Sequence, residues 1–202
     1  MSVSSTDKGL LTPDNGVVMF IDHQAAMLCC LASDERRAVL ANAAVLATAA
    51  QIFRLPVIVT AIKAPGFDGS IAVELAGALK GSALITRTSM NAWDSQAVVA
   101  AVRSTARRNL IIAALWSEAC LAMPALQALT DGFGVYAVEN ASAGINPPAH
   151  AAAIRRIEQA GGVSLTSLQL LLELQRDCAY SEHFDEVMAL LAHSINNPHE
   201  TP

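Results

Sequence analysis

The sequence predicts an α/β domain with three α-β-α layers around a doubly wound, six-stranded parallel sheet. Three observations carry this. Strand-like and helix-like runs alternate six times along the 202 residues, the signature of successive βαβ units. The runs "VVMFID" (17–22), "LPVIVTAI" (55–62) and "NLIIAAL" (109–115) are almost wholly apolar, as parallel strands covered on both faces are. Apolar residues make up 53% of the chain but aromatics only 4%, so small aliphatic side chains must do most of the packing.

Each element follows from local signals. Residues 1–15 read as a polar arm, residues 16–195 as the domain and residues 196–202 as a polar tail. After the first strand, "SDERRAVLANAAVLATAAQIF" (33–53) opens on Ser33 with acids in its first turn, a helix start. The second strand is followed by the loop "APGFDGS" and a short helix, "IAVELAGAL". "SALITR" (82–87) is a third strand, "TSMNAWDS" a loop and "SQAVVAAVRSTAR" (95–107) a helix. The fourth strand runs into a helix over 118–132, ended by Gly132, with Pro124 either kinking it or tolerated near its start. A fifth strand (134–140), a helix (147–162) with prolines first and glycines last, a sixth strand (163–167) and two closing helices complete the pattern.

Composition excludes several classes. The net charge is −5 and no Lys/Arg block stands out, so nucleic acid has no electrostatic footprint. No apolar run approaches a membrane span and the N-terminus lacks a signal-peptide core, which points to a cytoplasmic protein. In that compartment Cys29, Cys30, Cys120 and Cys178 stay mostly reduced, and none forms a CxxC metal pair. Neither a GxGxxG turn nor a P-loop follows the first strand, and no G-x-S-x-G elbow occurs, so no cofactor is expected and a serine hydrolase of the α/β class is disfavoured.

In a doubly wound sheet, ligands bind beyond the carboxyl ends of the strands. The first strand ends at Asp22, followed by His23 and Gln24; the second near Lys63; the third at Arg87. The fourth runs into Trp116, Ser117 and Glu118, with Cys120 in the next turn. An acid, one or two cations and a thiol on one rim are the parts of an activated thiol nucleophile. With Ser117 as N-cap, the first-turn N–H groups and dipole favour a Cys120 thiolate, lowering its pKa by about one unit or more. The same N–H groups offer an oxyanion hole. Against this stands the plain reading of each residue: a small buried thiol, a capping acid, a surface arginine.

Three segments, "VVMFIDHQ", "TRTSMNAWDS" and "LIIAALWSEACLAMPAL", together with "GFGVYAVENASAG", resemble the isochorismatase-like cysteine hydrolases over about residues 16–180. The similarity is greatest to the YcaC-like subgroup, which carries "DHQ", "NAWD" and "TEVC" at these places. The resemblance implies the same three-layer fold and an Asp/Lys/Cys triad, here Asp22 and Cys120 with Arg87 in the lysine's place. It also implies a cis peptide at Trp116–Ser117 and an oxyanion hole from the backbone N–H groups of Cys120 and of Ala119 or Ser117. Gln24, Lys63, Asn91, Trp93 and Trp116 are expected to line the substrate pocket. Metal-binding relatives carry an Asp/His/His cluster after the second strand. Here "AIKAPGFDGS" has no histidine, so no metal is expected and His23 reads as a structural residue.

The expected activity is hydrolysis of a C–N bond in a small amide-type substrate through a Cys120 thioester. Asp22 accepts and returns the proton, and Arg87 supplies charge but is a poor proton relay. Two other readings stay open: an oligomeric thiol, ligand-binding or redox-responsive protein with weakened hydrolysis, and a non-covalent vinyl-ether hydrolysis. The apolar closing helices and the resemblance point to a homo-oligomer, a tetramer or octamer.

Overall fold

The computed structural model of the protein describes residues 9–180 and 182–202. Its six parallel strands are β1 (Gly16–Ile21), β2 (Val57–Ala64), β4 (Leu84–Arg87), β5 (Asn109–Ala114), β6 (Gly134–Val138) and β7 (Val163–Leu165). They lie in the order β4-β2-β1-β5-β6-β7, reversing direction of growth at β1. A two-residue strand, β3 (Phe67–Asp68), adds an antiparallel hairpin to β2 inside the expected "APGFDGS" loop. Among the described residues, no helix is long and apolar enough to cross a membrane.

Side chains alternate across the sheet with the period of two that strands impose. Val18, Phe20, Ile111 and Ala113 enter one apolar layer, which they share with α2 (Ser33–Ile52), α7 (Ser167–Gln175) and α8 (Phe184–Asn196). Val17, Met19, Ile21, Leu110 and Ile112 enter the other, against α4 (Gln96–Ser104), α5 (Ala122–Thr130) and α6 (Pro147–Gln159). The alanines of α2, at 43, 44, 47 and 50, let that helix lie close on the sheet. Two short helices, α1 (Ala25–Leu28) and α3 (Val73–Ala76), complete the set.

Two local expectations change. The single helix over 118–132 is a π-helical turn, Ser117–Leu121, running into α5. Pro124 gives the reason: it has no N–H to offer the Cys120 carbonyl four residues back, and its ring crowds that carbonyl. Of the polar arm, residues 1–8 lie outside the described residues, but its end is no free arm. Leu11 is buried, its N–H reaches Glu173 Oε1 at 2.5 Å, and Tyr136 donates to the Gly9 carbonyl at 2.7 Å. Leucine at position 11 supplies the apolar surface that holds this segment down.

Candidate active site

The carboxyl ends of β1, β4 and β5 bring Asp22, Arg87 and Cys120 together. Asp22 follows β1 directly and turns the chain with a left-handed φ of 59°. Its N–H stays with the sheet, on the Thr60 carbonyl at 2.9 Å. Arg87 closes β4, which is separated from β1 by β2, so it must bridge two strand spacings, about 9–10 Å. The long guanidinium side chain does so, and Nη2 lies 2.5 Å from Asp22 Oδ2. Nη1 donates to the Ser89 carbonyl. Cys120 arrives from the other side, on the π turn after β5, near enough to the Asp22 carboxyl for each group to shift the titration of the other.

The three are nearly sealed from water: Asp22 is 0%, Cys120 2% and Arg87 6% exposed. Burial raises the Asp22 pKa above its ordinary value, with Arg87 and the Cys120 thiol opposing. Burial, and then the Asp22 carboxylate, push the Cys120 thiol far up, with Arg87 opposing. The expected dipole-lowered thiolate is therefore corrected. Asp22 stands beside the thiol, and neither Ser117 nor another side chain caps the turn. Asp22 Oδ1 and Arg87 Nε lack a well-formed hydrogen bond among the described residues, leaving polar capacity at the centre of the site.

The expected oxyanion donors are differently engaged. The Ser117 N–H is bound to the Ala143 carbonyl at 2.9 Å, which removes it from the set. The N–H groups of Ala119 and Cys120 converge on the Trp116 carbonyl at 3.1 and 2.8 Å. The cis peptide is at Leu115–Trp116, one bond before the expected Trp116–Ser117. Leu115 still bridges Ala143, and the chain leaves the sheet after it.

Most expected pocket residues have structural partners. The Gln24 amide donates to the Ile62 carbonyl at 3.0 Å and accepts from the Ile62 N–H at 2.9 Å. It thereby pairs the end of β2 where β1 has turned away. Asn91 accepts from the Trp93 N–H at 3.0 Å and donates to Asp94 and Gln127 at 3.0 and 2.6 Å, bolting the loop after β4 to α5. Trp93 donates its indole N–H to Asp131 at 3.1 Å and lines a separate 410 Å³ cleft with α4 residues Val99, Ala100 and Arg103. The polar groups of these three are thus engaged by the scaffold. Trp116 is half-buried, donating to the Met27 carbonyl at 2.9 Å behind the nucleophile turn. Lys63 is exposed, opposite Asp68 in the β2–β3 hairpin, with no ion pair among the described residues. A 530 Å³ cleft lined by Ala25, Ala26, Ala64, Gly66, Phe67 and Asp68 opens at this same end of the sheet.

His23 is fully buried, its Nε2 2.9 Å from the Ala141 carbonyl and its ring edge-on to Phe20. Burial lowers its pKa to about 4, so the ring is neutral at ordinary pH. Among the described residues no three His, Cys, Asp or Glu side chains form a group able to hold a metal ion. Sequence reasoning missed His150, whose Nδ1 lies 2.7 Å from Ser117 Oγ. No short-range pattern links residues 33 positions apart.

Comparison with known proteins identifies the family and the fold. Residues 17–169 match the Isochorismatase domain family. The chain is 34% identical to "Probable hydrolase YcaC" of Escherichia coli over 168 residues, 83% of this chain and 81% of that protein. A solved structure of YcaC from Pseudomonas aeruginosa, "with hexane-2,5-diol and covalent acrylamide", superposes with a TM-score of 0.81 at 31% identity, covering 97% of this chain and all of that one. The Escherichia coli YcaC structure, described as "an octameric hydrolase of unknown specificity", gives 0.79 at 30% identity, with 93% and 97% covered.

Proposed function

Because the chain belongs to the isochorismatase family, and its relatives place it among hydrolases, we propose that it is a cysteine hydrolase cleaving a C–N bond of a small amide-type substrate. The observation that carries this is the convergence of Asp22, Arg87 and Cys120 from three separate strand ends into one water-poor cluster. That the Pseudomonas relative takes up acrylamide covalently supports it, since acrylamide is an electrophile that thiols attack.

The resting site holds a neutral thiol beside a carboxylate paired to Arg87. A bound amide draws the thiol proton to Asp22 as sulfur attacks the carbonyl carbon. A carboxyl with a raised pKa is suited both to accept that proton and to return it. The oxyanion takes the N–H groups of Ala119 and Cys120 in exchange for the Trp116 carbonyl. Asp22 then protonates the leaving amine, and the C–N bond breaks to leave a thioester on Cys120. Water attacks the thioester and gives its proton to Asp22, and sulfur leaves and takes that proton back from Asp22 to recover the thiol. Arg87 stays protonated throughout and balances the charge on Asp22. A homo-oligomer is part of this reading, by similarity to the octameric relative.

The test is to incubate the protein with a panel of small amides and follow both amine release and the intact mass. Turnover with an acyl adduct confined to Cys120, lost in Cys120→Ser, is expected. Turnover that survives Cys120→Ser would sink the covalent mechanism.

A further inference from the structure

Ser117 opens the turn that carries Cys120 and is fully buried. A serine there ordinarily caps its own helix, yet this one bonds across to α6 instead, with Oγ 2.7 Å from His150 Nδ1. Its N–H is tied to the Ala143 carbonyl at 2.9 Å, and its neighbour Glu118 accepts the Ile145 N–H at 3.0 Å. Gly144 lies between these ties with no room for a side chain. A Cβ there would meet the His150 backbone nitrogen at 2.7 Å and Glu118 Oε2 at 2.8 Å. The loop before α6 is thus locked onto the nucleophile turn by two bonds and a close approach, and α6 itself by the His150 bond.

His150 is not needed by its own helix. Asn146 caps α6, accepting from the Ala149 N–H at 2.9 Å, and prolines occupy the first helical positions. The side chain is therefore free to serve Ser117. Burial lowers the His150 pKa, with Glu139 from the 3₁₀ turn after β6, Glu35 from α2 and Glu118 from the π turn opposing. In the neutral tautomer that carries its proton on Nε2, Nδ1 accepts and Ser117 Oγ–H donates.

We infer that Ser117 and His150 form a clamp that fixes the Cys120 turn against α6, which makes His150 a positioning residue for the thiol chemistry. This rests on Cys120 being the nucleophile, and the π turn gives the clamp its purpose. Its hydrogen-bond ladder is irregular at Pro124, so the turn's own backbone specifies the sulfur position less well than an α-helix would.

The test reads Cys120 itself. In the full chain with Cys29, Cys30 and Cys178 changed to Ser, acrylamide alkylation of the remaining thiol is followed by intact mass. Ser117→Ala and His150→Leu are each expected to slow alkylation about tenfold, because small misplacements of a reacting group are costly, while the thermal midpoint stays near the parent's. The double variant should be no slower than either single, since both remove one bond. Ser117→Thr and His150→Gln, which keep a hydroxyl and an acceptor, should restore most of the rate and remain folded. Folded single variants alkylating at the parental rate, losses that add in the double, or no rescue by threonine and glutamine would overturn the clamp. A parent that alkylates but never forms an acyl adduct with an amide fails the hydrolase reading and leaves the clamp standing.

Discussion

Arg87 Nη2 lies 2.5 Å from Asp22 Oδ2, and both side chains are withdrawn from water. Two buried charges of opposite sign are interdependent: removing either strands the other. Burial raises the Asp22 pKa and this cation opposes the rise, so the charge balance of the site rests on the pair.

Arg87→Ala should therefore cost stability in a pH-dependent way. Without the cation, the pKa of Asp22 rises further above its unfolded value of 3.8. A carboxyl whose folded pKa is raised contributes most at low pH, where it is protonated, and loses that contribution as the pH rises through the folded value. Arg87→Ala should thus lie nearest the parent below about pH 4 and fall behind as the pH rises. The eventual loss is about 3–5 kcal/mol, typical of a broken buried pair. Arg87→Lys keeps the charge and should lose less. Urea denaturation at several pH values checks this; a pH-independent difference would contradict it.

The same balance separates two roles of Asp22. Its carboxylate is, after burial, the main influence raising the Cys120 thiol. Asp22→Asn removes that negative charge and leaves Arg87 beside the sulfur. Alkylation of Cys120 at mildly alkaline pH should then become faster, while amide turnover falls by about a thousandfold for want of a proton acceptor. Intact-mass kinetics and amine release on one preparation measure both. Slower alkylation in the variant would mean that Asp22 already withdraws the proton in the free protein.

Much of this was legible in the sequence, for identifiable reasons. Strand runs such as 17–22 and 109–115 are read from continuous apolar character, and the rim residues Asp22, Arg87 and Cys120 from their place at strand ends. What was not legible depends on pairing in space. Gln24 looks like a pocket amide in one dimension, and only the register of β1 beside β2 shows that it closes on Ile62. The Cys120 thiol was expected to be acidified by its turn, because dipole position is a local property while burial and the nearness of Asp22 are not. The last sheet contact of this strand, Leu115 with Ala143, is likewise set by a segment 28 residues away.

Gln24→Ala should accordingly behave as a scaffold mutation. It strands the Ile62 N–H and carbonyl, both in buried β2, and costs about 2 kcal/mol for the two bonds. The denaturation midpoint should drop, while Cys120 alkylation in the remaining folded protein stays near the parental rate. A variant of parental stability with altered alkylation would return Gln24 to the pocket.

His23 supplies the remaining prediction, and its sign is opposite to that of Asp22. Burial lowers its pKa from 6.5 to about 4 in the folded chain. A histidine depressed in this way contributes stability above its unfolded pKa and loses it as the pH falls toward the folded value, because the unfolded chain binds the proton first. Between about pH 6.5 and pH 4 the loss amounts to roughly 3 kcal/mol for a shift of that size. His23→Gln offers a nontitrating donor to the Ala141 carbonyl. It should be less stable than the parent at neutral pH, where the native ring packs on Phe20, and lose less on acidification. Chemical denaturation at matched pH values gives the two slopes, and parallel slopes would show that His23 does not set the acid sensitivity of the fold.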